Sequence, residues 1–165
     1  MGHADLLDFK TYSIRHEGWP IEIGIARIVG NGADAESRLI RPHPNLDPSL
    51  WSCQSEAIHG LSRDLVEAEG IDPAGLNACF AVLNDSIVVS DAPTFERRWL
   101  LRLLRTRSSL PSMRLRDFDS FLAMTLPDSA APARAWGLFE RHAVPHRAAG
   151  DVLRLACACL AGRRT

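Results

Sequence analysis

Pro20-Ile21-Glu22-Ile23-Gly24-Ile25-Ala26-Arg27-Ile28-Val29 runs into Gly30-Asn31-Gly32. In an extended chain Ile21, Ile23 and Ile25 share one face, and Glu22, Gly24 and Ala26 share the other. That period of two is the mark of a β-strand. Asn31-Gly32 is a hairpin turn signal, so Glu36 to Arg41 is expected to return antiparallel to it. Upstream, Ala4 to Phe9 is a short, mostly apolar run with Asp8 near its end. The three runs predict an antiparallel meander.

Downstream the pattern changes. A loop rich in Pro and Asp, Pro42 to Ser49, leads to Ala57-Ile58-His59-Gly60-Leu61. Ser62 is an expected N-cap for a helix through Glu69. Asp72-Pro73 starts another helix toward Asn84, with Pro at its first position. Ile87 to Val89 is a short apolar strand, and Pro93 opens a long helix to about Leu104. Met113 to Phe118 is the last expected strand. Helices follow around Pro132 to His142 and Arg147 to Ala161, separated by Val144-Pro145. A meander followed by β-α-β-α units predicts an α/β fold, a mixed five-stranded sheet flanked by helices. That order of elements resembles the order of a ribonuclease H-like fold.

The 165 residues fit one domain, with no internal repeat. The 19 basic side chains are 18 Arg and one Lys, Lys10, against 20 acidic ones. A formal charge of −1 excludes a strongly basic nucleic-acid coat but leaves room for a local basic patch. No apolar run reaches the roughly 18 residues of a membrane span. The start, MGHADLLDF, lacks a basic region followed by a long apolar segment, so no secretory leader is expected. Cys53, Cys79, Cys157 and Cys159 form no CxxC pair and read as reduced, packed thiols, with a cytoplasmic location as the default. No GxGxxG, Walker A or GxSxG pattern is present, which removes support for dinucleotide, ATPase and α/β-hydrolase chemistry.

Polar groups stand where sheet proteins build sites. Asp8 is on the first strand, Asp91 and Glu96 bracket the start of the long helix, and His146 and Asp151 open the last one. Carboxylates converging from separate elements can hold Mg²⁺ or Mn²⁺. Two such ions roughly 3.5–4 Å apart stabilise the attacking and leaving oxygens of a phosphodiester, and a nearby His can take a proton from water. Singly, each residue is equally a turn former, a helix cap or a solvated loop residue.

Together they resemble the DEDDh 3′→5′ exonucleases, the family of ribonuclease T, oligoribonuclease and the proofreading subunit of bacterial replicative polymerase. Asp8-Phe9-Lys10-Thr11 is similar to the first motif, D-x-E-[TA], and 19–24 to the family's second strand. Ala57-Ile58-His59-Gly60-Leu61-Ser62 is similar to A-x-x-[IV]-H-G-[IL]-[ST]. Ser90 to Leu100 resembles the second motif, and His146-Arg147-Ala148-Ala149-Gly150-Asp151 the third, H-x-A-x-x-D. Five matches in order, from Leu6 to about Leu160, make the resemblance specific and imply a single exonuclease-like domain over 1–165.

The resemblance implies that Asp8, Glu96 and Asp151 are metal ligands of a two-metal Mg²⁺ or Mn²⁺ centre and that His146 is the general base. Asp8, Glu96, His146 and Asp151 form the implied catalytic set, with Glu96 where the family usually has Asp. Lys10, Thr11, Ile14 and His59 fall at implied substrate positions, Ile14 as a wedge against a base. The implied partner is single-stranded nucleic acid, and small members of the family are often homodimers. The departure is Lys10, which occupies the place of a metal-binding Glu. Like charges about 4 Å apart repel by about 4 kcal/mol at an effective dielectric near 20, and a divalent ion doubles that. Lys10 is therefore expected to weaken the metal site, or to pair with Asp8, Glu96 or Asp151 and fill its place. Asp91 and Glu22 are candidate substitute ligands. Two functions follow: a metal-dependent 3′→5′ exonuclease impaired by Lys10, or an inactive relative that binds nucleic acid or a protein.

Arg98, Arg102 and Arg105, extended by Arg97 and Arg107, read as a solvated helix face more than as a phosphate track. Trp51 reads as loop packing, Trp136 and Phe139 as core.

Overall fold

The computed structural model describes residues 4–84, 86–105, 113–142 and 146–163. Strands β1 (Ala4–Thr11), β2 (Pro20–Val29) and β3 (Gly32–Leu39) form the expected meander. Helices α1 (Cys53–His59), α2 (Arg63–Glu69) and α3 (Asn77–Leu83) precede β4 (Ile87–Ser90) and α4 (Pro93–Leu104). Then come β5 (Arg114–Asp117), α5 (Phe118–Thr125), α6 (Ala131–Arg141) and α7 (Ala148–Arg163). The five strands lie in the order β3-β2-β1-β4-β5, with β1 antiparallel to β2 and parallel to β4. This is the ribonuclease H-like mixed sheet that the order of elements predicts.

β1 lies at the centre of the sheet and is covered on both faces. Leu7 and Phe9 pack with Ile21, Ile23 and Ile25 against Phe80 and Trp99, while Leu6 packs with Ala26 against Phe118, Val152 and Leu155. Burial on both faces puts apolar side chains on each, Leu7 and Phe9 on one and Leu6 on the other, among the polar Asp5, Asp8, Lys10 and Thr11. Trp136 and Phe139 are partly buried against the second cluster and meet Phe118 at ring-centroid distances of 5.4 and 6.4 Å.

Several boundaries differ from expectation. β1 continues past Phe9 to Thr11, so Asp8 and Lys10 both project from a strand. The turn sits one residue early, on Gly30-Asn31. Gly30 takes a φ of 59° there, and Gly32 pairs with Val29 as the first residue of β3. α1 was not expected. It follows a side-chain cap, Ser52 Oγ accepting from the Ser55 N–H at 3.2 Å, and ends on Gly60 at a φ of 69°. α5 was also missed, and Asp117 caps it. The Asp72-Pro73 start is correct, but its first turn is a 3₁₀ turn, Pro73–Leu76. The expected Val144-Pro145 break and Arg107 lie outside the described residues.

The β1–β2 ladder shifts register between Lys10 and Thr11. Such irregularities re-aim side chains at sites. Here the shift falls on the residues of the first motif.

Candidate functional site: a lysine among carboxylates

β1 presents Asp8 and Lys10 on one face, as residues two apart on a strand must. α7 crosses that face and brings Asp151 from its first turn. The approach is close because Gly24 has no side chain: a Cβ there would lie 2.5 Å from the Ala148 backbone. α4, opened by Pro93, supplies Glu96 from its own first turn. Four expected site residues, Asp8, Lys10, Glu96 and Asp151, are thus brought together.

The Lys10 ammonium occupies the middle. Its Nζ lies 2.8 Å from Asp8 Oδ2 and donates to Asp151 Oδ2 at 2.6 Å. Glu96 is 4% exposed, and its Oε2 has no partner among the described residues. Burial outweighs the attraction of Lys10 and pushes the Asp8 carboxyl up to about 7. Burial also raises Glu96 well above the carboxylate range, with the Asp8 charge adding to the effect. Asp91 stands exposed at the rim, and its charge raises both.

His146 is 59% exposed, with Nδ1 4.0 Å from Asp151 Oδ2, so it borders the acidic group without bonding to it. His59, at the end of α1, is buried. Its Nδ1 accepts the Leu61 N–H at 3.0 Å, and its Nε2 has no partner among the described residues. Burial pulls its imidazole below the ordinary range, and the Lys10 charge acts the same way. Thr11 is buried, whereas Ile14 stands 76% exposed on the loop after β1.

Glu22 is no substitute ligand. It is fully buried and already engaged: Arg147 Nη2 donates to it at 2.7 Å, the Ala148 N–H at 2.9 Å and Ser37 Oγ at 3.0 Å. The arginine was missed, although a Glu on a strand face shared with Gly24 and Ala26 signals a need for a partner. Arg154 was missed, and Arg102 plays another part than the one expected. Arg154 lies 3.9 Å from Asp151 and stacks 3.8 Å from the Phe139 centroid. Arg102 is not a solvated face residue: it donates to the Gly18 and His16 carbonyls, with the His16 contact at 2.8 Å. It thereby braces the loop that carries Ile14. Arg98 rests over Phe95 and Trp99. Trp51 packs the loop as expected, stacked 5.7 Å from Tyr12.

A two-metal centre does not fit these residues. The carboxylates that would hold the ions face an ammonium already within hydrogen-bond distance of both. Among the described residues, no group of three or more His, Cys, Asp or Glu side chains is placed to hold a metal ion. No described helix is long and apolar enough to cross a membrane.

No protein-family model and no curated protein matches the sequence. Solved structures do match. A zinc-bound complex of Escherichia coli exonuclease I with single-stranded DNA has a TM-score of 0.65 and 14% identity, over 98% of this chain and 39% of that one. The moderately thermophilic exonuclease I of Methylocaldum szegediense gives 0.70 and 15%, over 97% and 40%. The E. coli enzyme with a dT13 oligonucleotide gives 0.65 and 14%, over 98% and 40%. The chain spans about two fifths of the length of these neighbours. At such identities the likeness establishes the fold: this chain has the ribonuclease H-like fold that exonuclease I also contains.

Proposed function

We propose that this protein holds the 3′ end of single-stranded nucleic acid in an exonuclease-type cleft whose central cation is the Lys10 ammonium instead of a divalent metal. The observation that carries the reading is the contact of one Nζ with both Asp8 and Asp151. Exposed Ile14, Ile58 and Phe95 offer apolar surface to unstacked bases. The fold neighbours that hold single-stranded DNA lend support. Free thiols at Cys53, Cys79, Cys157 and Cys159 fit a reducing, cytoplasmic setting.

Fluorescence anisotropy with end-labelled dT and rU oligonucleotides tests the proposal. Binding in EDTA should equal binding in Mg²⁺, and a blocked 3′ end should weaken it. Binding that requires Mg²⁺ or Mn²⁺ contradicts it.

A second reading is a slow metal-dependent 3′→5′ exonuclease. It is favoured by the surplus of acid over base at the centre, where Glu96 Oε2 is buried without a partner. Mn²⁺-dependent appearance of a product ladder from a 5′-labelled oligonucleotide, lost in Asp8→Asn, would select this reading over the first.

A further inference from the structure

Lys10 has a competitor for its charge. In the β1–β2 ladder Lys10 and Glu22 are direct cross-strand partners. Such partners share a face with their Cβ atoms about 5 Å apart, a spacing at which Lys and Glu ordinarily pair. They do not pair here. Lys10 turns to Asp8 and Asp151, and Glu22 turns to Arg147. The Glu22 carboxylate is fully buried, and every contact it makes is a donor: Arg147 Nε at 3.1 Å to each oxygen, Arg147 Nη2, the Ala148 N–H and Ser37 Oγ. Arg147 is the one full positive charge in that set. Without it, a buried anion would stand beside the chain's sole lysine.

We infer that Glu22 and Arg147 are a positioning pair for the centre: by neutralising Glu22, Arg147 leaves Lys10 to Asp8 and Asp151. Arg147 stands just before α7, where its carbonyl accepts the Asp151 N–H at 3.0 Å as in any first helical turn. The inference rests on the proposed function only in giving that centre a use.

The composition supplies the probe. Protein labelled with ¹³C,¹⁵N-lysine has one set of lysine resonances, from Lys10. Arg147→Ala should shift the Lys10 Cε–Hε signal by more than its linewidth, as the ammonium moves to Glu22. Arg147→Lys should restore it. Glu22→Gln, which removes the competitor, should leave it in place, and so should the double variant Arg147→Ala/Glu22→Gln. A merely structural clamp predicts the reverse, with Glu22→Gln and the double variant displaced at least as far as Arg147→Ala. An unmoved signal in Arg147→Ala, or a displaced one in the double variant, overturns the inference. If Arg147→Ala does not fold, Glu22→Gln decides, since displacement in that variant alone overturns it. Adding a single-stranded dT oligonucleotide to the wild type separates this from the functional reading. A Lys10 signal blind to the oligonucleotide sinks the proposed function and leaves the variant series to stand by itself.

Discussion

Lys10 makes an internal ion pair of a buried carboxylate cluster, and the consequence appears in how stability depends on pH. Asp8 titrates at about 7 in the folded chain against an ordinary 3.8, because burial outweighs Lys10. Its folded value is raised, so its contribution is complete below the ordinary value and is lost as pH rises through about 7. Glu96 moves in the same direction by burial and by the Asp8 charge. Glu22 moves oppositely: Arg147 and the Ala148 N–H overcome its burial and lower it, so its contribution is lost as pH falls through the carboxylate range. Stability should therefore peak in mildly acidic solution, and the urea midpoint should fall between about pH 5.5 and pH 8. Glu96→Gln removes one of the two carboxyls responsible. It should flatten that slope and raise stability at about pH 8 by on the order of 1 kcal/mol. A midpoint that rises across this range would contradict the assignment.

At the scale of elements, the centre depends on how closely α7 lies on β2. Gly24 and Ala148 touch where no Cβ fits. Gly24→Ala should cost about 1–3 kcal/mol, the usual range for overpacking, and should loosen the contact between Lys10 and Asp151. Urea denaturation reads the first effect and the Lys10 resonance the second. A neutral substitution would show that α7 is not held there. The elements themselves were largely legible. Alternation in β2 and the caps Ser62 and Asp72-Pro73 each have a local cause, and each was found. α1 and α5 were not found. Both are short, and their signals are a Ser or Asp cap that in sequence looks like any loop residue. The turn was misplaced by one residue because Gly30 and Gly32 flank Asn31 equally in sequence, and only pairing selects Gly30.

At the scale of the whole molecule, the mixed five-stranded sheet is expected from the order of elements and the meeting of Asp8, Lys10, Glu96 and Asp151 from the family resemblance, while the strand order itself is seen only in the structure. The arginines did not follow. Arg147 and Arg102 act across 125 and 84 residues of sequence, and no local pattern says which carboxylate or carbonyl they reach, whereas Arg154 meets Asp151 at the i, i+3 spacing of one helix. His146 lies at the edge of the centre, exposed and 4.0 Å from Asp151, so its implied role as a base has no hydrogen bond behind it. The fold is shared with exonuclease I over about two fifths of that protein's length. Under the proposed function, what the chain does with the fold turns on one charge, that of Lys10.

Titration calorimetry of Mg²⁺ and Mn²⁺ into wild type and Lys10→Glu addresses that charge most directly. The account predicts no saturable binding at the centre in wild type. In Lys10→Glu it predicts saturable binding that Asp151→Asn abolishes. Saturable Mn²⁺ binding by wild type, lost on Asp8→Asn and no tighter in Lys10→Glu, would contradict the claim that the lysine stands in the metal's place.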